Sequence, residues 1–579
     1  MVDSVYQEIQ ALGLRPIWIS IFPKDLLLDR ARQLEANAEA RSLPLYGVPF
    51  GVKDNIDVAG LPTTAGCPAF AYTPTTSAPV VQQLERAGAI VIGKTNMDQF
   101  ATGLVGIRSP YGICSSVFDE RNISGGSSSG SAVAVGKGQV CFALGTDTAG
   151  SGRIPAAFNH LVGLKPTRGL LSTTGVVPAC KTLDCVSIFA ETCADASRVF
   201  QSARGYDRAD PYSRKVVPGK GAAPWAGTKF RFGFPQPQML EFFGDANARE
   251  CYERAIRALS DLGGAVTEID FSPFRAAADL LYAGPWVAER LAAISEFMKA
   301  HENDMEPTVR QIISGARRYS AVDTFQAVYR LQELRRETER VWEDVDVLLL
   351  PTTPRAYTIA EVQADPVSLN TNLGYYTNFV NLLDLAAVAV PAGFATEHVP
   401  FGVSLIGQAF TDDALLQLGD RLHRELAMTL GGSERLLAST PPLPNSDIPP
   451  GCIPIAVVGA HLTGQPLNWQ LTSRRGHLLK TTHTQADYRL YALSNTTPPK
   501  PGLIRAPGFQ GPGIEVEVWA LPEDEVGGFM ENIPPPLTIG NIRLVGGECV
   551  KGFLVESAAI EQATEITEFG GWRNYLKRS

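Results

Sequence analysis

Three segments of the chain carry residue types that could cleave an acyl bond. In Tyr46-Gly-Val-Pro-Phe-Gly-Val-Lys-Asp-Asn55, Lys53 interrupts an otherwise apolar strand. A lysine there either snorkels its ammonium out to water or stays desolvated, neutral often enough to act as a base. The second segment, Ser124-Gly-Gly-Ser-Ser-Ser-Gly-Ser131, has the composition of a linker. Ala132-Val-Ala-Val-Gly136 follows at once, however, and pins it into a core. In the third, Gly145-Thr-Asp-Thr-Ala-Gly-Ser-Gly-Arg-Ile-Pro155, the small residues at 149, 150 and 152 let backbone approach a ligand closely. Consecutive amides beside Ser151 form a natural oxyanion hole. Together the segments suggest that Ser151 attacks a carbonyl while Ser127 passes its proton to Lys53 and later returns one to the leaving amine. The ordinary lysine pKa is about 10.4, so burial has to lower it. Such a set needs no histidine, and the chain has only 7. Asp147 reads as a carboxylate that holds the loop, and Arg153 as a buried structural arginine.

Two other motifs lose to their context. Gly88-Ala-Ile-Val-Ile-Gly-Lys-Thr95 matches the phosphate-loop pattern, but a helix precedes it and Ala-Ile-Val-Ile is itself strand-like, so its amides cannot curl around a phosphate. Gly126-Ser-Ser-Ser-Gly130 matches a nucleophile elbow, yet the residues before it are mostly polar instead of an apolar strand. A net charge of −9 argues against nucleic acid or anionic membrane as partner. The 9 cysteines include no C-x-x-C pair, so no zinc framework is suggested and reduced thiols are expected. No basic leader and no apolar run of membrane length is seen, which favours a soluble cytoplasmic protein.

The elements that must position these residues alternate between helical and strand patterns. Helices are expected at 24–40, Val80–Arg86 and 323–342, and strands at 46–56, Ala89–Ile92 and Val347–Leu350. The mixture argues for an α/β fold with a sheet covered by helices. Residues 439–451 hold five prolines and read as a linker. They divide the chain into 1–440, a linker at 441–452, and 453–579. The last part shows strand patterns at Ile514–Trp519, Tyr488–Leu493 and Lys551–Glu556, and a hairpin turn at Gly546-Gly547. Its tail, 557–576, looks largely helical with a break at Gly570-Gly571. A small α+β, barrel-like domain is expected.

The segments Gly51-Val-Lys-Asp-Asn55, Gly125-Gly-Ser-Ser-Ser-Gly-Ser131 and Gly145-Thr-Asp-Thr-Ala-Gly-Ser-Gly-Arg-Ile-Pro-Ala156 resemble the amidase signature family, over roughly residues 20–440. That family commonly has glycine where Ser129 and Ala149 stand. These departures, with Asp54-Asn-Ile-Asp-Val-Ala-Gly-Leu-Pro-Thr-Thr-Ala-Gly-Cys-Pro68, resemble its allophanate hydrolase branch. So do Gly459-Ala-His-Leu-Thr-Gly-Gln-Pro-Leu-Asn468 and Phe569-Gly-Gly-Trp572 in the C-terminal extension. The resemblance implies the amidase signature fold with a mixed sheet core. It implies Ser151 as nucleophile, Ser127 as bridging serine after a cis Gly126–Ser127 bond, and Lys53 as base. It further implies an oxyanion hole of the Thr148, Ala149, Gly150 and Ser151 amides, with Gly126 against the substrate.

The implied reaction is hydrolysis of allophanate with release of ammonia, in urea or cyanuric acid degradation, and without cofactor or metal. Decarboxylation of the N-carboxycarbamate product, aided by the second domain, would follow. A small anionic substrate calls for a cation, and Tyr282 with Arg290 could converge on its carboxylate. Alternatively Arg290 pairs with Glu289 at the surface, and Arg310, Arg317 and Arg318 are rivals. In the second domain His461, in a loop after an apolar strand, is the acid/base candidate ahead of His477 and His483. The resemblance also implies a homodimer and a pathway partner that is a urea carboxylase or a biuret hydrolase. The competing reading is a general amidase or amidotransferase-type subunit whose C-terminal domain only mediates assembly.

Overall fold

The computed structural model describes residues 2–13, 16–215, 229–282, 284–443, 448 and 452–578. The described residues fall into two compact units, those up to 443 and those from 448 onward. The proline-rich stretch expected as a linker lies mostly outside the described residues.

The first unit is built on eleven strands: β1 (Trp18–Ile21), β2 (Pro49–Lys53), β3 (Ile90–Thr95), β4 (Phe142–Asp147), β5 (Val162–Lys165), β6 (Cys185–Ala190), β7 (Phe230–Pro235), β8 (Gly264–Ile269), β9 (Val347–Pro351), β10 (Leu385–Thr396) and β11 (Val399–Gln408). They form one sheet in the order β1-β3-β2-β4-β6-β5-β10-β11-β9-β7-β8. β2 lies parallel to both β3 and β4, β4 is antiparallel to β6, and β7 is again parallel to β8 and β9, so the sheet is mixed. Strands such as β2, β4 and β9 are buried at every position. A sheet covered on both faces needs apolar runs without polar alternation, which is why these segments read as continuous hydrophobic stretches. Helices Cys193–Ala203, Ala246–Asp261 and Asp412–Leu426 pack against it.

The expected elements appear with shifted ends. The helix expected over 24–40 stops at Ala36, because Asn37 caps a separate 3₁₀ turn by accepting from the Glu39 amide. The charged helix begins at Ala321 under a Ser320–Asp323 capping box and ends at Glu339. The strand at 89–92 runs on to Thr95, so Gly93-Lys94-Thr95 is sheet and not a phosphate loop. Lys94 is fully buried and donates to Thr63 Oγ1 at 2.8 Å.

The second unit holds β12 (Cys452–Val457), β13 (His477–His483), β14 (Tyr488–Ala492), β15 (Pro501–Arg505), β16 (Glu515–Pro522), β17 (Leu537–Arg543), β18 (Cys549–Val555) and β19 (Thr564–Glu565). Five form a sheet in the order β13-β16-β12-β18-β17, and β15, β14 and β19 form another. The edges β13 and β17 converge at a Thr484–Leu544 bridge, which bends the larger sheet toward closure and gives the unit its barrel-like character. Gly547, with φ 86°, turns the β17–β18 hairpin where the glycine pair stands. The tail departs from expectation. Within 557–576 the only α-helix among the described residues is Trp572–Leu576, preceded by 3₁₀ turns and by β19. Pairing of Thr564 and Glu565 with β14 overrides local helical preference.

Candidate active site

Lys53 ends β2 with no solvent exposure, and its ammonium donates to Ser127 Oγ and to Thr146 Oγ1, both at 2.8 Å. Burial lowers its pKa to about 7, against the opposing pull of Asp98, Asp184 and Asp147. The snorkelling alternative therefore fails: the ammonium is buried and bonded within the protein. The three chemistry-bearing segments meet at Thr146 on β4. Its hydroxyl takes the lysine, its carbonyl accepts from Ser128 Oγ at 3.2 Å, and the loop it opens carries Ser151. Ser128, the serine an elbow would have used, is thus turned to backbone and buried.

The Gly126–Ser127 peptide bond is cis. Gly126 tolerates no side chain: a Cβ would lie 2.0 Å from Asp98 Oδ2 and 2.6 Å from the Gly106 nitrogen. Asp98 is the buried carboxylate that holds this turn, accepting from the amides of Val105, Gly106 and Arg108 at 3.2, 3.0 and 2.9 Å.

Ser151 is 3% exposed on the loop after β4. Asp147 organises that loop, accepting from the Gly150 and Gly152 amides at 2.9 and 3.1 Å and forming a two-pronged pair with buried Arg153. The Gly150 amide is already engaged by Asp147. Among the described residues the amides of Thr148, Ala149 and Ser151 make no such bond, so of the four expected oxyanion donors these three are free. Gly150, at φ 127°, is also pressed against Thr377, whose Oγ1 would lie 2.5 Å from a Cβ.

Arg290 sits in the first turn of helix Val287–His301 and is 3% exposed. It donates to Ala101 O at 3.2 Å, Thr102 Oγ1 at 3.0 Å and Tyr282 Oη at 3.3 Å. Glu289 instead accepts from the Thr182 amide and hydroxyl at 2.6 and 2.8 Å, which removes the reading of a surface pair with Arg290. Among the described residues no carboxylate lies within ion-pair distance of Arg290. Its charge nevertheless reaches Lys53. The rivals are occupied elsewhere: Arg317 with Glu302, Arg310 with Asn303, and Arg318 with Tyr319. Buried unpaired guanidinium beside a tyrosine hydroxyl suits a small carboxylate.

In the second unit His461 Nε2 lies 2.9 Å from Gln470 Oε1, and the ring stacks on Phe553 with centroids 4.9 Å apart. Burial lowers its pKa. It lines a cavity with Lys500, Pro501, Asn532 and Phe553, whereas His477 and His483 are exposed on β13. Sequence reasoning missed Thr146, Asp98 and Asp184. The one available signal was a run of polar residues, Lys94-Thr-Asn-Met-Asp98, following directly on a buried strand. Among the described residues no group of His, Cys, Asp and Glu could hold a metal, and no helix is long and apolar enough to cross a membrane.

Residues 3–416 match the family described as Amidase, and residues 453–577 match the allophanate hydrolase C-terminal domain. The chain belongs to the amidase family. It is a hydrolase acting on amides, of the allophanate hydrolase type, with that type's C-terminal domain. It is similar to the allophanate hydrolase of Kluyveromyces lactis at 41% identity and a TM-score of 0.79, covering 100% of this chain and 97% of that one. The urea amidolyase of Saccharomyces cerevisiae is 45% identical over 590 residues, which is 100% of this chain and 32% of that protein. The chain thus spans about a third of the urea amidolyases it matches. A glutamyl-tRNA(Gln) amidotransferase chain from Thermotoga maritima is 27% identical with a TM-score of 0.61, over 75% of this chain and 93% of that one.

Proposed function

We propose that the first unit hydrolyses allophanate through Ser151, Ser127 and Lys53. The observation that carries this reading is the fully buried Lys53 ammonium, 2.8 Å from Ser127 Oγ, with its pKa lowered to about 7. Neutral Lys53 takes the Ser127 proton as Ser127 takes the proton of Ser151, and Ser151 Oγ bonds to the terminal amide carbon. The developing oxyanion is held by the amides of Thr148, Ala149 and Ser151, donors already fixed in place before the charge appears. Lys53, now protonated, returns the proton through Ser127 to the leaving nitrogen, and ammonia departs. Water, activated by the same relay, releases the acyl group as N-carboxycarbamate. Arg290 and Tyr282 hold the substrate carboxylate, and the Gly126 backbone lines the other side of the substrate.

The second unit, divided from the first near 441–452, assists the next step. N-carboxycarbamate takes up one proton at nitrogen, loses carbon dioxide and leaves carbamate; His461 is the acid/base group. The names of the urea amidolyase relatives favour urea breakdown, with a urea-carboxylating enzyme upstream, over the cyanuric acid route. Ammonia and carbon dioxide followed in time from allophanate test the scheme. Ser151→Ala is expected to abolish ammonia release, and near-normal release removes the serine relay. His461→Asn is expected to leave ammonia release intact while delaying carbon dioxide.

A further inference from the structure

Asp184 is a buried carboxylate that the relay above does not use. It lies one residue before β6, 4% exposed, and three donors converge on it. The Ala179 amide donates to Oδ2 at 2.9 Å, the Cys180 amide to Oδ1 at 3.2 Å, and the Thr148 hydroxyl to Oδ1 at 2.5 Å. Thr148 supplies one of the three free oxyanion amides. The segment 179–184 therefore closes on itself around a carboxylate whose remaining bond goes to the oxyanion loop.

The same segment is tied on its other side to the Arg290 helix. Thr182 donates twice to Glu289, and Cys180 Sγ lies 3.8 Å from Trp286 O. Leu183 O and Asp147 O share the Asn381 side-chain amide, at 3.0 and 2.8 Å, which fixes the segment against the loop that carries Ser151. One short strap thus touches both the helix that carries Arg290 and the loop that would hold the oxyanion.

We infer that Asp184 is a positioning residue for acyl transfer, acting through the Thr148 hydroxyl to hold the oxyanion loop in register with the Arg290 helix. It touches neither substrate nor reacting atoms. Burial raises its pKa to about 6, with the Thr148 hydroxyl and the Cys180 amide pulling downward, so at neutral pH it is largely the ionised acceptor that the three donors require. A hydroxyl bonded to a charged acceptor is a stronger tether than one bonded to a neutral oxygen. An oxyanion donor displaced by a fraction of an ångström loses most of its value, because its energy is collected only at the transition state.

This inference rests on the proposed amide hydrolysis, and the test separates the two. Wild type is first assayed for ammonia release from allophanate and from malonamate; absence of both sinks the proposed hydrolysis, irrespective of Asp184. On whichever amide turns over, a double-mutant cycle combines Asp184→Asn with Thr148→Val, and Thr148→Ser stands as the conservative control. Each single change is expected to lower kcat about tenfold or more with KM changed less than about threefold. The double variant is expected to be no slower than either single one, and Thr148→Ser to recover most of kcat. A purely structural Asp184 predicts losses that multiply in the double variant. That result, or Thr148→Ser as slow as Thr148→Val, overturns the inference. Should Asp184→Asn fail to fold, full kcat in Thr148→Val overturns it alone.

Discussion

In the proposed relay, Lys53 sets the pH at which turnover can run. Only its neutral form can take the Ser127 proton, and its pKa is lowered to about 7. kcat/KM for ammonia release should therefore climb with pH through about 7 and level off above it, falling about tenfold per unit on the acid side. A flat profile between pH 6 and 8 would remove Lys53 as the base. Lys53→Met should abolish turnover, since no second group among Thr146, Asn55 and Ser127 can accept a proton at neutral pH. Gly126→Ala is a steric test at the same site. With Asp98 Oδ2 2.0 Å from the new Cβ, the turn has to open, and the variant should lose activity together with thermal stability.

At the scale of elements, the loop after β4 is kept in shape by one buried ion pair, Asp147 with Arg153, both without solvent exposure. Arg153→Met leaves a buried carboxylate unpaired, a change that costs about 3–5 kcal/mol. Its thermal midpoint should drop by several degrees, and no more than a degree of change would show the pair to be dispensable. The glycine- and serine-rich segments were legible in the sequence because their sterics are local: small residues in unbroken runs signal close backbone approach. Thr146, Asp98 and Asp184 were not, because nothing in their neighbouring residues names their partners, which come largely from other strands and loops. The sheet was legible as apolar runs, but its order was not, since β5 pairs with β10 across more than two hundred residues. The tail at 557–576 was misread for the opposite reason. Its local pattern favoured helix, and only the strand partner at Tyr491 and Ala492 decides otherwise.

For the whole molecule, acid should be destabilising through two core histidines. His160 stacks on Phe394 of β10, and burial lowers its pKa to about 4. His423, on helix Asp412–Leu426, is lowered to about 3 by burial and by His160 and Arg424, and neither ring nitrogen finds a partner among the described residues. Both native values lie below the free value of 6.5, so as pH falls the unfolded chain takes up protons before the native one does. Their contribution is intact above about 6.5 and is lost progressively as pH drops toward 4. The thermal midpoint should fall more steeply between pH 7 and 5 in the wild type than in His160→Phe/His423→Leu. Parallel curves would assign the acid sensitivity to other groups.

Arg290 carries a consequence of a different kind. An empty enzyme keeps a desolvated positive charge with no carboxylate in direct contact, only the more distant pull of Asp184 and Glu289. In the proposed reading this arrangement serves catalysis at the expense of the resting fold. The charge acts as a built-in demand for an anion, so occupancy and folding are linked. Malonate should raise the melting temperature of the wild type, increasingly with concentration, and leave that of Arg290→Met unmoved. In the absence of any carboxylate the order should reverse, with the inactive Arg290→Met melting above the active enzyme.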